Sequence, residues 1–375
     1  MSEYQYYEFH AIDRPLSDAD QRALRKLSTR ARISATSFKN SYDWGDFGGD
    51  PAELMRRWFD LHLYYADFGS RRLMMRFPKR LVRPGVLERF LRNVHCATIE
   101  EHGDNLILDI WQEELETDDY EDDGKGWLAN LAPLRADILG GDRRVLYLLW
   151  LTAVETGDVD PSEPEPLPGL GPMTAALEAF VDFFQLKGDL VEAAAERPFA
   201  TVDMNSDGAR RMVSGLPERE KTEWLTRLVG DPSTAAEFRS LIRTRLEAAS
   251  DGTAAPRRTA GELRARAQAI WDARCREVAA KEAARLKREA AEAERARLTR
   301  LETLRQKGEA VWHRVETEIC RRNPGGYKAA HELLLDLKAL AELDGTSPDF
   351  EKRLRSIHDR HARKGQFIER LKDLG

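Results

Sequence analysis

The residue sets that could do chemistry in this chain each fail at a position the chemistry requires. Asp203-x-Asn205-x-Asp207-Gly208 begins like a calcium loop, in which alternating oxygen ligands and a glycine turn the chain around the ion. The twelfth position of such a loop supplies a bidentate Glu, and here it is Ser214; the eighth is apolar, and here it is Arg210. Asp119-x-Glu121-x-Asp123-Gly124 fails in the same way, with Asn130 twelfth. The first run therefore reads as a turn capping a helix that starts at Ala209, and the second as a solvated acidic linker. His358 and His361 flank Asp359 at helical spacing, a pair that could hold a metal with a third ligand, but the surrounding RSIHDRHARK is strongly basic and disfavours a cation. No metal and no cofactor is expected.

Gly45-Asp46-Phe47-Gly48-Gly49-Asp50 precedes a helix, yet it lacks the Lys-Ser/Thr of a phosphate loop and the spacing of a dinucleotide fingerprint. Asp46 and Asp50 would also repel phosphate, so the segment reads as a turn. No G-x-S-x-G, no H-E-x-x-H and no evident Cys/His dyad occurs. Catalytic residues are accordingly not assigned.

The densest unusual chemistry is aromatic and cationic. Tyr4, Tyr6, Tyr7, Tyr42, Trp44, Trp58, Tyr64 and Tyr65 accompany Arg30, Arg32, Arg71, Arg72 and Arg76. Aromatic and Arg side chains together favour protein interfaces and base-stacking surfaces. The competing interpretation is an aromatic core with Arg-lined strand edges. From this set Tyr42, Trp44, Arg71, Arg72 and Arg76 are taken as a candidate interaction surface. A second one, Arg353, Arg355, Arg360, Arg363 and Lys364, lies in the tail.

The elements that would position these residues follow from periodicity and punctuation. YQYYEFHAI at 4–12 suits a strand, and Ser17 with Asp20 forms a capping-box-like helix start. Residues 32–44 read as a second extended segment. Asp50-Pro51 opens a helix on which Leu54, Trp58, Leu61 and Tyr65 recur at helical spacing. RRLMMRF at 71–77 is a third strand. A short helix follows Pro84, then a hairpin, ATIEE–HGDN–LILDIW. The order β-α-β-α-β-α-β-β predicts an α+β sandwich domain over 1–115. Past the acidic linker a helical domain is expected over 126–250, interrupted by an exposed Pro/Gly/Asp loop at 157–172. Residues 250–257 read as a hinge.

Residues 258–322 have the composition of a long charged helix or coiled coil, a rod of roughly 95 Å at about 1.5 Å per residue. The large a and d residues of a two-stranded coiled coil are missing from 279–297, so this middle resembles a solvated single helix held by i,i+4 charge pairs. Asn323-Pro324-Gly325-Gly326 stops it. Residues 323–375 then form a helical hairpin. Leu333, Leu334, Leu337 and Leu340 on one arm, and Phe350, Leu354, Ile357, Phe367, Ile368 and Leu371 on the other, need a third partner. Leu301, Leu304, Val311, Trp312, Val315 and Ile319 supply it, predicting a three-helix bundle.

Charge is uneven. Between positions 257 and 322 there are 18 Lys/Arg against 11 Asp/Glu, a net of +7, so the remainder of a chain of net charge -6 carries -13. An acidic body on a basic rod permits nucleic-acid contact without requiring it. Cys96, Cys275 and Cys320 are far apart and form no C-x-x-C, which fits a reducing cytosol rather than a disulfide framework. No stretch approaches 18 consecutive apolar residues, and the opening MSEYQYYEFH lacks the marks of a secretory signal. A cytoplasmic protein with no membrane partner is expected.

The opening, YQYYEFHAIDRPL with LRKLSTRARISATSFKNSYDWGDFGGDP, resembles an uncharacterised bacterial protein family, which implies no activity. The tail, YKAAHELLLDLKALAE through FEKRLRSIHDRHARKGQFIERL, is similar to the C-terminal tails of bacterial SWIM zinc-finger proteins. The zinc motif of those proteins, C-x-C with a downstream C-x-H, is absent, so the likeness implies a shared helical packing or docking unit and neither zinc nor DNA. The expectation for the whole is a non-enzymatic scaffold or adaptor with a protein partner. The alternatives are a nucleic-acid-associated protein using the basic helix, and an enzyme whose site is assembled from scattered residues.

Overall fold

The computed structural model describes residues 4–45, 47–116, 123–199, 207–231, 234–250, 256–372 and 374. The chain divides into two compact units, Met1–Ala273 and Arg274–Gly375. The first opens with β1 (Gln5–His10), α1 (Asp18–Leu27), β2 (Arg32–Ile33), β3 (Ser37–Tyr42), α2 (Pro51–Arg57), β4 (Leu61–Ala66), β5 (Arg71–Pro78), α3 (Pro84–Leu91), β6 (Ala97–His102) and β7 (Asn105–Gln112). These strands pair antiparallel in one sheet, in the order β2-β3-β1-β4-β5-β7-β6. The expected capping box is present: Ser17 Oγ accepts from Asp20 N while the Asp20 carboxylate accepts from Ser17 N.

Helices follow: α4 (Trp127–Leu131), α5 (Pro133–Gly140), α6 (Arg144–Thr156), α7 (Ala175–Phe183), α8 (Gly188–Ala195), α9 (Asp207–Ser214), α10 (Glu218–Gly230), α11 (Thr234–Ser250) and α12 (Ala260–Lys307). The α+β start followed by mostly helical chain is as expected, with three differences in its parts. First, Leu54 to Tyr65 is not one helix. Helix α2 stops at Arg57, and Leu61–Ala66 is the central strand β4, apolar on both parities because helices cover both faces of the sheet. Second, 32–44 holds two strands. Third, the loop at 157–172 is exposed only at 157, 158, 160–162, 164 and 172. Val159, Glu165, Leu167 and Leu170 on it are buried.

The sheet places alternate residues on two cores. Leu61, Leu63, Tyr65, Leu73, Met75, Leu108 and Ile110 face α3 and the helices from α4 to α8. Tyr7, Phe9, Phe38, Met74 and Ile107 face α1 and α2. The first of these cores continues without a break into Ala260, Leu263, Ala267 and Ile270 on α12. The head, the helical segment and the start of the long helix thus share one core, where the sequence suggested separate domains. The hinge residues 251–255 lie outside the described residues.

Beyond Ile270 the long helix changes character. Positions 273–300 are exposed throughout. Ion pairs Glu277–Lys281, Arg285–Glu289 and Arg288–Glu292 at i,i+4, with Glu282–Arg285 and Glu294–Arg297 at i,i+3, run along it. Ala290→Pro should therefore cost about 3 kcal/mol within the helix and leave the melting of the sheet core unchanged. A matching drop in the sheet core's melting temperature would make this stretch a core element instead.

In the second unit the helix does not run unbroken to residue 322. Gly308, at φ +49°, ends α12, and α13 (Glu309–Cys320) restarts after it. Asn323 caps α14 (Pro324–Asp344), its side chain accepting from Gly326 N, with Pro324 in the first turn. Helices α15 (Ser347–His361) and α16 (Gly365–Leu371) complete the unit. Leu301, Leu304, Val311, Val315 and Ile319 pack with Leu334, Leu337, Phe350, Ile357, Phe367 and Leu371. These are the residues the apolar spacing brings together, but they do not form three helices: Gly308 divides the rod end into α12 and α13, and the second arm of the hairpin is divided into α15 and α16.

Candidate functional site

Antiparallel register builds a site on the sheet face that carries α1 and α2. Along one row lie Tyr7, Tyr64, Arg72 and Trp111, from β1, β4, β5 and β7. The next row runs Phe9, His62, Met74, Asp109 and Thr98. Phe47 and Gly49, from the turn before α2, close one side. All of these but Phe9 and Met74 line an open cavity of about 750 Å³, within the usual range for small-molecule sites.

His62 is fully buried between Leu61 and Leu63 in sequence and stacks on Phe9, with ring centroids 3.9 Å apart. Its Nδ1 lies 3.1 Å from the Glu8 carbonyl oxygen. A carbonyl only accepts, so Nδ1 carries the proton and Nε2 presents a lone pair. That Nε2 is buried and has no hydrogen-bond partner. An unmet buried acceptor costs about 1–3 kcal/mol, so it is a feature to be explained. Burial, helped by the Arg72 charge and opposed by the Glu8 bond, lowers the imidazole pKa to about 3. The ring is neutral at physiological pH.

Arg72 and Asp109 form a bidentate pair: Nε donates to Oδ1 at 2.8 Å and Nη2 to Oδ2 at 2.6 Å. The charges of the four ionised residues lining the cavity, Arg71, Arg72, Asp109 and Glu113, cancel. Tyr7 and Tyr64 both donate their hydroxyls to Gln5 Oε1, which holds their rings as walls.

The sequence-derived surface is only partly assembled. Trp44 is 71% exposed, while Tyr42 packs edge-on against Tyr7 at 5.9 Å. The three arginines of β5 point into the fold. Arg71 is buried over the Tyr65 ring and donates to Ala66 O. Arg72 meets Asp109, and Arg76 donates to buried Asp60 and to Met55 O. In the tail, Arg353 pairs with Glu309 and covers the Trp312 ring, Arg360 pairs with Glu316 at 2.8 Å, and Lys364 donates to Ile319 O. Arg355 donates to Glu351 O, and Arg363 is exposed. His358 is exposed beside Asp359, and His361 turns inward to Glu316 at 2.7 Å.

A second cleft of about 580 Å³ holds His95, Cys96 and Asp158. Burial pushes the Cys96 thiol up and outweighs the opposing contact with Thr152 Oγ1, 3.5 Å from its sulfur, the opposite of an activated nucleophile. Of the calcium-like runs, Asp119, Glu121, Asp203 and Asn205 lie outside the described residues, as does Asp46 of the glycine turn. Among the described residues no three His, Cys, Asp or Glu side chains gather as a metal site requires. Among them, too, no helix is long and apolar enough to cross a membrane.

Sequence reasoning missed His62, Asp109 and Trp111. The signal for His62 was a lone imidazole inside the apolar run LHLYYA, where a polar ring needs a partner. Compared with models of known families, with curated proteins and with solved structures, the chain matches none.

Proposed function

We propose that the chain is a non-enzymatic cytoplasmic scaffold or adaptor that binds a protein partner. The observation carrying this reading is the stretch 273–300. It is exposed on every side and kept helical by its own ion pairs, and it leads from one folded unit into another. Chain invested in a helix that contributes to neither core suits a connector between binding surfaces. The side-chain chemistry fits as well: the thiol of Cys96 has a raised pKa, and the imidazole of His62 is held neutral. In this reading the tail does not serve phosphate, because Glu309 and Glu316 already pair with Arg353 and Arg360.

The test is affinity capture from the native cell after nuclease treatment, followed by titration of the purified partner against the purified chain. A discrete protein that binds directly and survives nuclease supports the adaptor. Nucleic-acid binding whose affinity falls steeply with salt would replace it by a nucleic-acid function of the basic helix.

A further inference from the structure

A further cavity, of about 250 Å³, lies where the turn after β5 meets α11. No part of it belongs to the connector helix or to the tail. Lys79, Arg80, Arg83, Arg143 and Arg243 line it against one carboxylate, Glu237, so the lining carries an excess of four positive charges. Glu237 is already shared between Arg80, at 3.4 Å, and Arg227 from outside the lining. Lys79 pairs with Glu101 at 2.7 Å, and counting that carboxylate as well leaves an excess of three. A guanidinium has several N–H donors, so a partner that fixes its place leaves others to offer. Val82, Ile138, Trp224 and Leu241 stand between the cations. Walls of low dielectric focus the field of like charges in a cleft. Helix α3 starts at the same wall, with Arg83 as an N-cap that makes no capping bond, so the positive end of its dipole adds to that field. Packing does not require this convergence. Like charges gathered in one concavity repel, and neither the sheet core nor the small core of α9 and α11, with Ala209, Leu216, Ile242 and Leu246, draws on them.

We propose that this cavity binds a compact polyanion made of two linked phosphate groups, the size of pyrophosphate. Size and charge both lead there. At about 30 Å³ per water the space equals about eight waters, more than a single phosphate fills. It falls below the roughly 300–1,000 Å³ of pockets for larger organic ligands. Each phosphate group brings roughly −1.5 to −2 at neutral pH, so two bring roughly −3 to −4, which matches the excess on the lining. The planar fork of an arginine meets two phosphate oxygens at once. Arg83 and Arg143 stand at the starts of α3 and α6, and Arg243 comes from α11. Ser240 Oγ of α11 donates to Leu81 O at 3.1 Å, so both sides are in place before the anion arrives. The bound anion bridges them and clamps α11 to the turn after β5. No covalent step is involved. The site is one for recognition.

The experiment is calorimetric titration of the full chain in metal-free buffer at constant ionic strength. Three probes are used: pyrophosphate, orthophosphate and ADP. Pyrophosphate should bind at one equivalent, and orthophosphate more weakly by roughly tenfold or more, the reach of one charge-assisted hydrogen bond. Arg83→Gln, at an exposed position, and Arg143→Gln should each weaken pyrophosphate by roughly tenfold. Arg285→Gln removes the same charge from the exposed stretch of α12 and should leave the affinity unchanged. ADP binding more tightly than pyrophosphate would support the site and assign the diphosphate to a larger molecule; equal or weaker binding would support it and assign the free ion. Should Arg143→Gln fail to fold, the comparison of Arg83→Gln with Arg285→Gln decides. Pyrophosphate that does not saturate the chain overturns the proposal, as does orthophosphate that binds equally tightly. So does a folded Arg83→Gln protein that binds pyrophosphate no more weakly than Arg285→Gln.

Discussion

Arg258→Met should lower the stability of the N-terminal unit by roughly 3–5 kcal/mol, the cost of leaving a buried charge without its partner. The charge is Glu165, fully buried on the loop between α6 and α7. Arg258 donates Nη2 to Glu165 Oε2 at 2.9 Å and Nε to both carboxylate oxygens at 3.2 Å, and its backbone N–H donates to Oε1 at 3.0 Å. Its guanidinium also reaches the Ala193 and Ala194 carbonyls at the end of α8. In Arg258→Met the carboxylate keeps the Tyr147 hydroxyl, the backbone N–H and, 3.7 Å away, Arg197. It loses its main counter-charge. The same contacts tie the loop, α8 and the start of α12 into the sheet core, so the effect should appear as loss of cooperative unfolding in urea. Adding Glu165→Gln to Arg258→Met removes the stranded charge and should recover part of the loss. A single Arg258→Met variant within 1 kcal/mol of the unaltered chain, a margin about the size of one ordinary hydrogen bond, would mean that Arg197 and solvent already neutralise Glu165.

That network marks where the sequence stops being legible. Local signals were readable because their physics is local. The Ser17–Asp20 capping box and the β6–β7 hairpin each lie within a few residues. The apolar spacing from Leu301 to Leu371 was enough to assemble the terminal bundle. Pairings across the chain were not readable. Glu165 and Arg258 are 93 positions apart, so the Pro/Gly/Asp loop looked like surface while its glutamate was the anchor. Strand β4 failed for another reason. Leu54, Trp58, Leu61 and Tyr65 mimic one face of a helix, whereas the run LHLYYA is apolar on both parities, the mark of a strand covered on two sides. With β4 read as helix, no register could set His62 beside Phe9 or Tyr64 beside Arg72, and the cavity had no floor. The β5 arginines were visible as a cluster, but their partners Asp60 and Asp109 belong to other elements, and only the sheet brings them together.

Acid should destabilise the N-terminal unit earlier than its carboxylates alone would, and His62 should be the cause. The imidazole titrates near 6.5 in an unfolded chain and is lowered to about 3 in the fold, chiefly by burial. Between those values the unfolded state binds a proton that the folded state refuses, so stability rises with pH across the window. The contribution is complete above pH 6.5 and is lost as pH falls toward 3. One pKa unit is worth about 1.4 kcal/mol, so the loss is roughly 2 kcal/mol at pH 5 and roughly 4 kcal/mol at pH 3. Glu8 acts lower in the range. Burial would raise its carboxyl, but hydrogen bonds from His10, Lys39 and Tyr6 outweigh burial and bring it to about 2. Its stabilisation is therefore present above its ordinary value of 4.5 and fades below it. The interval from pH 6.5 to 5 thus isolates the histidine. Urea unfolding at pH 7, 6 and 5 should show the unaltered chain losing stability while His62→Phe, which cannot take up a proton, stays nearly level over the same interval. Parallel profiles for the two proteins would show that His62 protonates without resistance. The imidazole would then be reached by water rather than sealed in the sheet core.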